Sequence, residues 1–167
     1  MSAEQMWIGG AWCDAEDGAT ADILNPATGE VMATTPKATI ADVSRCVEAS
    51  RAAFNDSSWK NMDPAQRGRI LNKMAQATYA NAKALAAIES NNNGKTFREA
   101  LSEIRYGAWT LEYFAGLSDK IEGTTIPVPG NRLNYTLRQP LGVTVHIVPW
   151  NFPLQLALRS IAPALAA

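Results

Sequence analysis

Cysteine, histidine and charge of one sign are all scarce in this chain, and each scarcity removes a class of protein. The two cysteines, Cys13 and Cys46, make neither a disulfide framework nor a Cys-x-x-Cys pair. That excludes a stapled secreted domain and points to a reducing, cytoplasmic setting, with both thiols structural or on the surface. The single histidine, His146, has no second imidazole near it in sequence, so a satisfied core side chain is expected there and not a metal ligand. Lys and Arg number 15 against 16 Asp and Glu, a formal charge of -1, and they are scattered along the chain. No polyphosphate or nucleic-acid partner follows from such a distribution. The start, Met1-Ser2-Ala3-Glu4-Gln5, has no basic region and no apolar run, and so does not read as a signal peptide. The apolar tail, Leu154 to Ala167, is too short to span a bilayer and carries Arg159 and Pro163. Internal repeats and low-complexity segments are missing as well.

What is present is enough apolar sequence, 47% of 167 residues, to bury a core. Met6 to Trp12 reads as two short strands around Gly9-Gly10, a small hairpin. Asn25-Pro26-Ala27-Thr28-Gly29-Glu30 is a turn, followed by a strand from Val31 to Thr35. Thr39 caps a helix reaching about Phe54, with Ile40, Val43, Val47 and Phe54 on one face and Asp42 in the first turn. Asp63-Pro64 opens a second helical stretch whose stripe of Ile70, Leu71, Met74 and Ala77 continues through Leu85 and Ile88 until Asn91-Asn92-Asn93-Gly94 stops it. Thr96 and Glu99 form a capping box for a long helix with the stripe Phe97, Leu101, Ile104, Ala108, Leu111 and Ala115, ended by Gly116. Ile121 to Val128 and Arg132 to Arg138 flank Pro129-Gly130-Asn131 as a β-ribbon. Gly142 then leads into Val143 to Val148, a β-branched run suited to a strand buried on both sides of a parallel sheet. Strand, tight loop and the apolar helix after it make the opening of a βαβ nucleotide-binding unit, with no second strand in the sequence to pair with the first.

The chemistry concentrates in Val148-Pro149-Trp150-Asn151-Phe152-Pro153. Two prolines stiffen the loop that follows the buried run, which is where open parallel sheets bind ligands. Spacing alone leaves two readings of Asn151 open: a cap for the following helix, or an uncharged amide donor aimed at a carbonyl oxygen becoming an alkoxide.

This loop, after Gly142-Val143-Thr144-Val145-His146-Ile147 and before Ala162-Pro163-Ala164-Leu165-Ala166, resembles the first cofactor-domain strand of the NAD(P)-dependent aldehyde dehydrogenases. Ile8-Gly9-Gly10 with Trp12, the Asn25 to Glu30 turn, Ala52-Ala53-Phe54 with Trp59 and Arg67, and Tyr113-Phe114-Ala115-Gly116 fall in the same family's order, so the resemblance covers essentially the whole chain. It implies an α/β fold of aldehyde dehydrogenase type: N-terminal helices and a β-ribbon plus the first βα unit of a Rossmann-like cofactor domain, which this chain leaves incomplete. Residues 1–118 would hold the hairpin and the helical part of the cofactor domain. Residues 119–139 would be the ribbon that joins subunits into homodimers or homotetramers, and 140–167 the first strand, loop and helix of the NAD(P)-binding core.

The resemblance also implies roles. Ile147, Val148, Pro149 and Trp150 would line the nicotinamide-ribose side of an NAD or NADP site, and Asn151 would be the oxyanion donor. Phe152, Leu156 and Arg159 would face the aldehyde entrance. An arginine at that place resembles members acting on semialdehydes or aromatic aldehydes, and a solvated helix residue or an internal ion pair is the other reading of Arg159. Glu103 with the carbonyls of Ile23 and Leu24 matches the place where many members hold sodium or potassium, although the family usually has aspartate there and an exposed helix glutamate is the alternative. The reaction implied is attack of a cysteine thiolate on the aldehyde, hydride transfer to NAD(P)+, and thioester hydrolysis with a glutamate base. In the family that cysteine, that glutamate and the lysine holding the adenosine ribose lie beyond the point matching Ala167. The chain is therefore expected to be an N-terminal fragment, inactive alone; the alternative is a non-catalytic oligomerisation or pseudoenzyme module. No Gly-x-Gly-x-x-Gly occurs, a fingerprint that this family does not use.

Overall fold

The structure, a computed structural model, describes residues 2–56 and 58–167. Met1, part of the N-terminal stretch read above, lies outside the described residues. One sheet near the N-terminus has the order β1 (Ser2–Ala3), β5 (Val31–Pro36), β4 (Thr20–Leu24), with β1 parallel and β4 antiparallel to β5. Between β1 and β4 in sequence, β2 (Met6–Ile8) and β3 (Ala11–Cys13) form the expected hairpin. Its turn needs positive φ at both central positions, and Gly9 and Gly10 supply it at 62° and 87°.

Helix α1 (Ile40–Asn55) starts at the Thr39 cap, and the box is reciprocal: Thr39 Oγ1 accepts from the Asp42 amide while the Asp42 carboxylate accepts from the Thr39 amide at 2.8 Å. Asp42 is buried, pairs with Arg45, and also accepts from the Glu16 amide at 3.2 Å, so it ties the loop before β4 to the helix. The Thr39 amide, helped by Arg45, holds its carboxyl well below the usual carboxylate range. A depressed folded-state value means stability that is complete above about pH 4, where the unfolded carboxyl ionises, and is lost as pH falls further. Asp42→Asn in the full-length protein should thus lower Tm by roughly 2–4 °C at pH 7. The gap should close toward pH 2, and an undiminished gap there would show that the carboxylate charge is not involved. The apolar face of α1 is not buried here, since Ile40 is 88% exposed and Val43 and Val47 are exposed as well.

The helical stretch expected from Asp63 to Gly94 is two helices, α2 (Pro64–Ala80) and α3 (Ala82–Asn93). Asn81 divides them: its side-chain amide donates to the Ala77 carbonyl at 2.8 Å, the kind of local bond by which asparagine competes with a continuing helix. After the left-handed Gly94, α4 (Phe97–Ala115) runs from the Thr96 cap to Gly116 as read from the sequence. Helix α5 (Pro153–Ala166) packs across α2 and α4 through Leu71, Ala75, Leu111, Leu158 and Ala162, and Ala82, Ala86, Ala100 and Ile104 form a second cluster where α3 meets α4. The core is rich in alanine because the helices approach closely. A β-carbon on Gly68 would stand 2.6 Å from the Ala115 carbonyl oxygen, so a larger residue there would push α2 off α4.

Two expectations are corrected in the last third. The ribbon is short: its strands are β6 (Thr125–Ile126) and β7 (Asn134–Tyr135), with one more backbone bond from the Thr136 amide to the Thr124 carbonyl at 2.9 Å, and beyond Ile126 the prolines Pro127 and Pro129 have no amide hydrogen to extend the ladder. Val143 to Val148 forms no strand and is not buried on both faces: Val145 is 80% and Ile147 94% exposed. The physical reason is the missing pairing partner, since a parallel strand exists only through ladder bonds to neighbours, and none among the described residues lies beside it.

Candidate active site

The site is the turn from Pro149 to Phe152 that feeds α5. Its backbone is held from the connection between α3 and α4. Gly94, at φ 82°, reverses the chain at the end of α3, and Ser90 Oγ donates to the Lys95 carbonyl at 2.7 Å, fixing the reversal. Asn93 and Lys95 are thereby directed at the turn. Asn93 Nδ2 donates to the Trp150 carbonyl at 2.8 Å, and Lys95 Nζ donates to the Asn151 carbonyl at 2.8 Å. The next carbonyl, Phe152, accepts the first helical bond of α5 from Leu156 at 2.9 Å.

Lys95 is 11% exposed and all three of its protons find acceptors: Asn151 O, Glu89 Oε1 at 2.9 Å and Glu103 Oε2. Its ammonium also lies over the Phe152 ring, 4.7 Å from the centroid. Burial would lower the lysine's proton affinity, but the hydrogen bonds to Glu103 and Glu89 outweigh it and the net direction is up. Burial raises Glu103, with the Glu89 carboxylate acting the same way and Lys95 opposing. The ammonium therefore stays charged at neutral pH and is shared by two carboxylates.

Helix α5 begins with Phe152 at the cap position and no side-chain cap bond. The Asn151 side chain is exposed and makes no cap bond to α5. Trp150 is 79% exposed, Ile147 and Pro149 are exposed, and Val148 is half-buried, an uncharged apolar edge leading to the amide. Phe152, Leu156 and Arg159 follow at helical spacing along one side of α5, with Leu156 half-buried and Arg159 exposed. Arg159 takes part in none of the ion pairs among the described residues.

Other candidates lie elsewhere. Ile23 and Leu24 are on β4, and Glu103, on α4, pairs with the Lys95 ammonium. Among the described residues no cluster of three or more His, Cys, Asp or Glu could hold a metal. His146 lies outside the buried clusters, is half-buried, and its ring nitrogens meet Thr144 Oγ1 at 2.9 Å and Ser160 Oγ. Cys13 is half-buried, Cys46 exposed, and both are free. A cavity of about 570 Å³ lies between α1, the Arg138 to His146 segment and the end of α5, and none of the site residues lines it. Lys95, Glu89 and Asn93 were not singled out from the sequence; a lysine after Asn-Gly gives no sign that it reaches a turn 56 residues away.

The proline-flanked turn thus places an apolar edge and an unbonded amide at the start of a helix packed on the α2–α4 layer. The chain belongs to the aldehyde dehydrogenase family, whose model matches residues 12–167. It is 44% identical over its whole length to (Z)-2-((N-methylformamido)methylene)-5-hydroxybutyrolactone dehydrogenase of Acinetobacter baylyi, covering 34% of that protein. It is 41% identical to human retinal dehydrogenase 2 over 96% of this chain and 32% of that one. Among solved structures, an aldehyde dehydrogenase from Brucella melitensis superposes with a TM-score of 0.94 over 98% of this chain and 34% of its own, at 39% identity. Betaine aldehyde dehydrogenase from Staphylococcus aureus in complex with NAD+ does so with a TM-score of 0.93 at 35% identity, over 98% of this chain and 33% of that one. The chain thus spans about a third of the length of the relatives it matches. The incomplete α/β fold of this family, read from the sequence, is the fold observed.

Proposed function

We propose that this chain is the N-terminal segment of an NAD- or NADP-dependent enzyme that oxidises an aldehyde to a carboxylic acid, and that it contributes the oxyanion donor, Asn151. The carrying observation is the Asn151 amide, free of any cap bond on a turn whose flanking carbonyls are both held. As a nucleophile adds to an aldehyde, charge gathers on the carbonyl oxygen, and a neutral N–H donor stabilises that charge without being protonated or deprotonated itself. Ile147, Val148, Pro149 and Trp150 present no charge and fit the apolar contact that a nicotinamide ribose needs; when bound, the dinucleotide supplies the hydride acceptor. Residues 140–167 form the entry to that core, residues 1–118 its helical support, and 119–139 a ribbon whose exposed Leu133, Tyr135 and Leu137 suit burial against other subunits in a homodimer or homotetramer. Two free cysteines suit a cytoplasmic enzyme, and no helix among the described residues is long and apolar enough to cross a membrane.

The test is nicotinamide reduction with a panel of aldehydes. The full-length protein should reduce NAD+ or NADP+ in an aldehyde-dependent way, and residues 1–167 alone should not; a full-length protein inert toward every aldehyde and both cofactors would overturn the proposal. Substrate choice is read at Arg159. A guanidinium pairing with a substrate carboxylate contributes about 1.5–3 kcal/mol. Arg159→Ala should therefore raise KM for a semialdehyde roughly 10- to 100-fold and leave a neutral aldehyde of similar length nearly unaffected. Equal effects on both substrates would remove Arg159 from recognition.

A further inference from the structure

The two peptide planes that meet at the Asn151 α-carbon are each pinned by a side chain from a distant connection. The Trp150 carbonyl belongs to the plane entering Asn151 and accepts from Asn93; the Asn151 carbonyl belongs to the plane leaving it and accepts from Lys95. Fixing both planes fixes φ and ψ of Asn151, and with them the direction in which its side chain leaves the backbone. The turn would otherwise be loose, because its side chains are largely exposed and it lacks a side-chain cap bond. We propose that Asn93 and Lys95 are positioning residues that aim the Asn151 amide, Lys95 being itself held rigid by Glu89 and Glu103. This rests on the reading of Asn151 as the oxyanion donor.

Lysine suits the task physically. Three acceptors arranged around one ammonium leave it no alternative geometry, and the Phe152 ring closes the remaining side. Glu103 is then one support of the pin, and Asn93 sets the register of the pair from the last turn of α3.

The test uses the full-length protein and single and double variants with Asn151→Ala. Lys95→Met and Asn93→Ala should each lower kcat, Lys95→Met by up to about a hundredfold, the cost of displacing a reacting group by roughly 1 Å. KM for the dinucleotide should change little. In the Asn151→Ala background neither variant should lower kcat further, because there is no amide left to aim. Lys95→Met leaves two buried carboxylates without their cation and can fail to fold. Asn93→Ala uncovers no charge, and loss of kcat at unchanged Tm in that variant carries the proposal independently. Two results overturn it while leaving Asn151 in place: full kcat in Asn93→Ala and Lys95→Met when Asn151→Ala is impaired, or losses that multiply in the double variants. Full activity in Asn151→Ala would instead overturn the donor reading, and the positioning role with it.

Discussion

Asn151→Ala in the full-length protein should lower kcat roughly 100- to 1,000-fold, the effect of removing one preorganised oxyanion donor. KM for the aldehyde should stay within a few-fold, because the amide meets a full negative charge only after addition has begun, and an interaction made in the transition state alone appears in kcat. The structural cost should be small. The Asn151 side chain is exposed and α5 begins without a side-chain cap bond, so no helix terminus loses a partner. Tm unchanged beside a large loss of kcat is therefore the expected signature, and Asn151→Asp should do worse than alanine by setting a carboxylate against the developing charge. A fall in Tm with kcat intact would mean that the residue serves the turn and not the reaction.

Much of this fold was legible because its signals are local. Gly9-Gly10 set the hairpin, Thr39 and Thr96 capped their helices where read, and Gly94 and Gly116 ended theirs. Each involves groups within a few residues of one another, which is the range over which spacing carries information. Pairing at a distance was not legible. Ser2–Ala3 pairs in parallel with Ala33 and Thr34 of β5, far along the chain, and two residues have no periodicity to read. Asn81 splits a stripe that is continuous in hydrophobic spacing, because the break is made by a side-chain hydrogen bond and not by a change of face. At the site, the Pro-Trp-Asn-Phe-Pro run marked the amide, but the pins on either side of it come from Asn93 and Lys95. One stands among three asparagines and the other reads as a surface lysine, so only the tertiary structure distinguishes them. The Val143 to Val148 run shows the converse: a composition suited to a buried strand, without the ladder partners that would make it one.

That unpaired run sets the second large expectation, which concerns residues 1–167 prepared alone. They should be helical yet loosely packed and prone to associate. Helices α2, α4 and α5 share one cluster and α3 shares another with α4, so far-ultraviolet helix signal should survive. Against it stand Leu141, Val145, Ile147 and Trp150, all more than three-quarters exposed. Beside them lies the cavity of about 570 Å³, lined by Val143 and, on α5, by Ile161 and Leu165. Apolar surface of this kind, next to backbone amides with no ladder, invites edge pairing and hydrophobic association. The polypeptide alone should bind a hydrophobic dye, show weak near-ultraviolet dichroism and melt over a broad range. Hydrogen exchange separates packing from mere solubility. The amides from Val143 to Val148 should exchange rapidly in the isolated segment and slow by orders of magnitude in the full-length protein, where a strand with neighbours on both sides would be protected. A monodisperse monomer with one sharp calorimetric transition would overturn this expectation and show that the helical layer is sufficient as a folding unit.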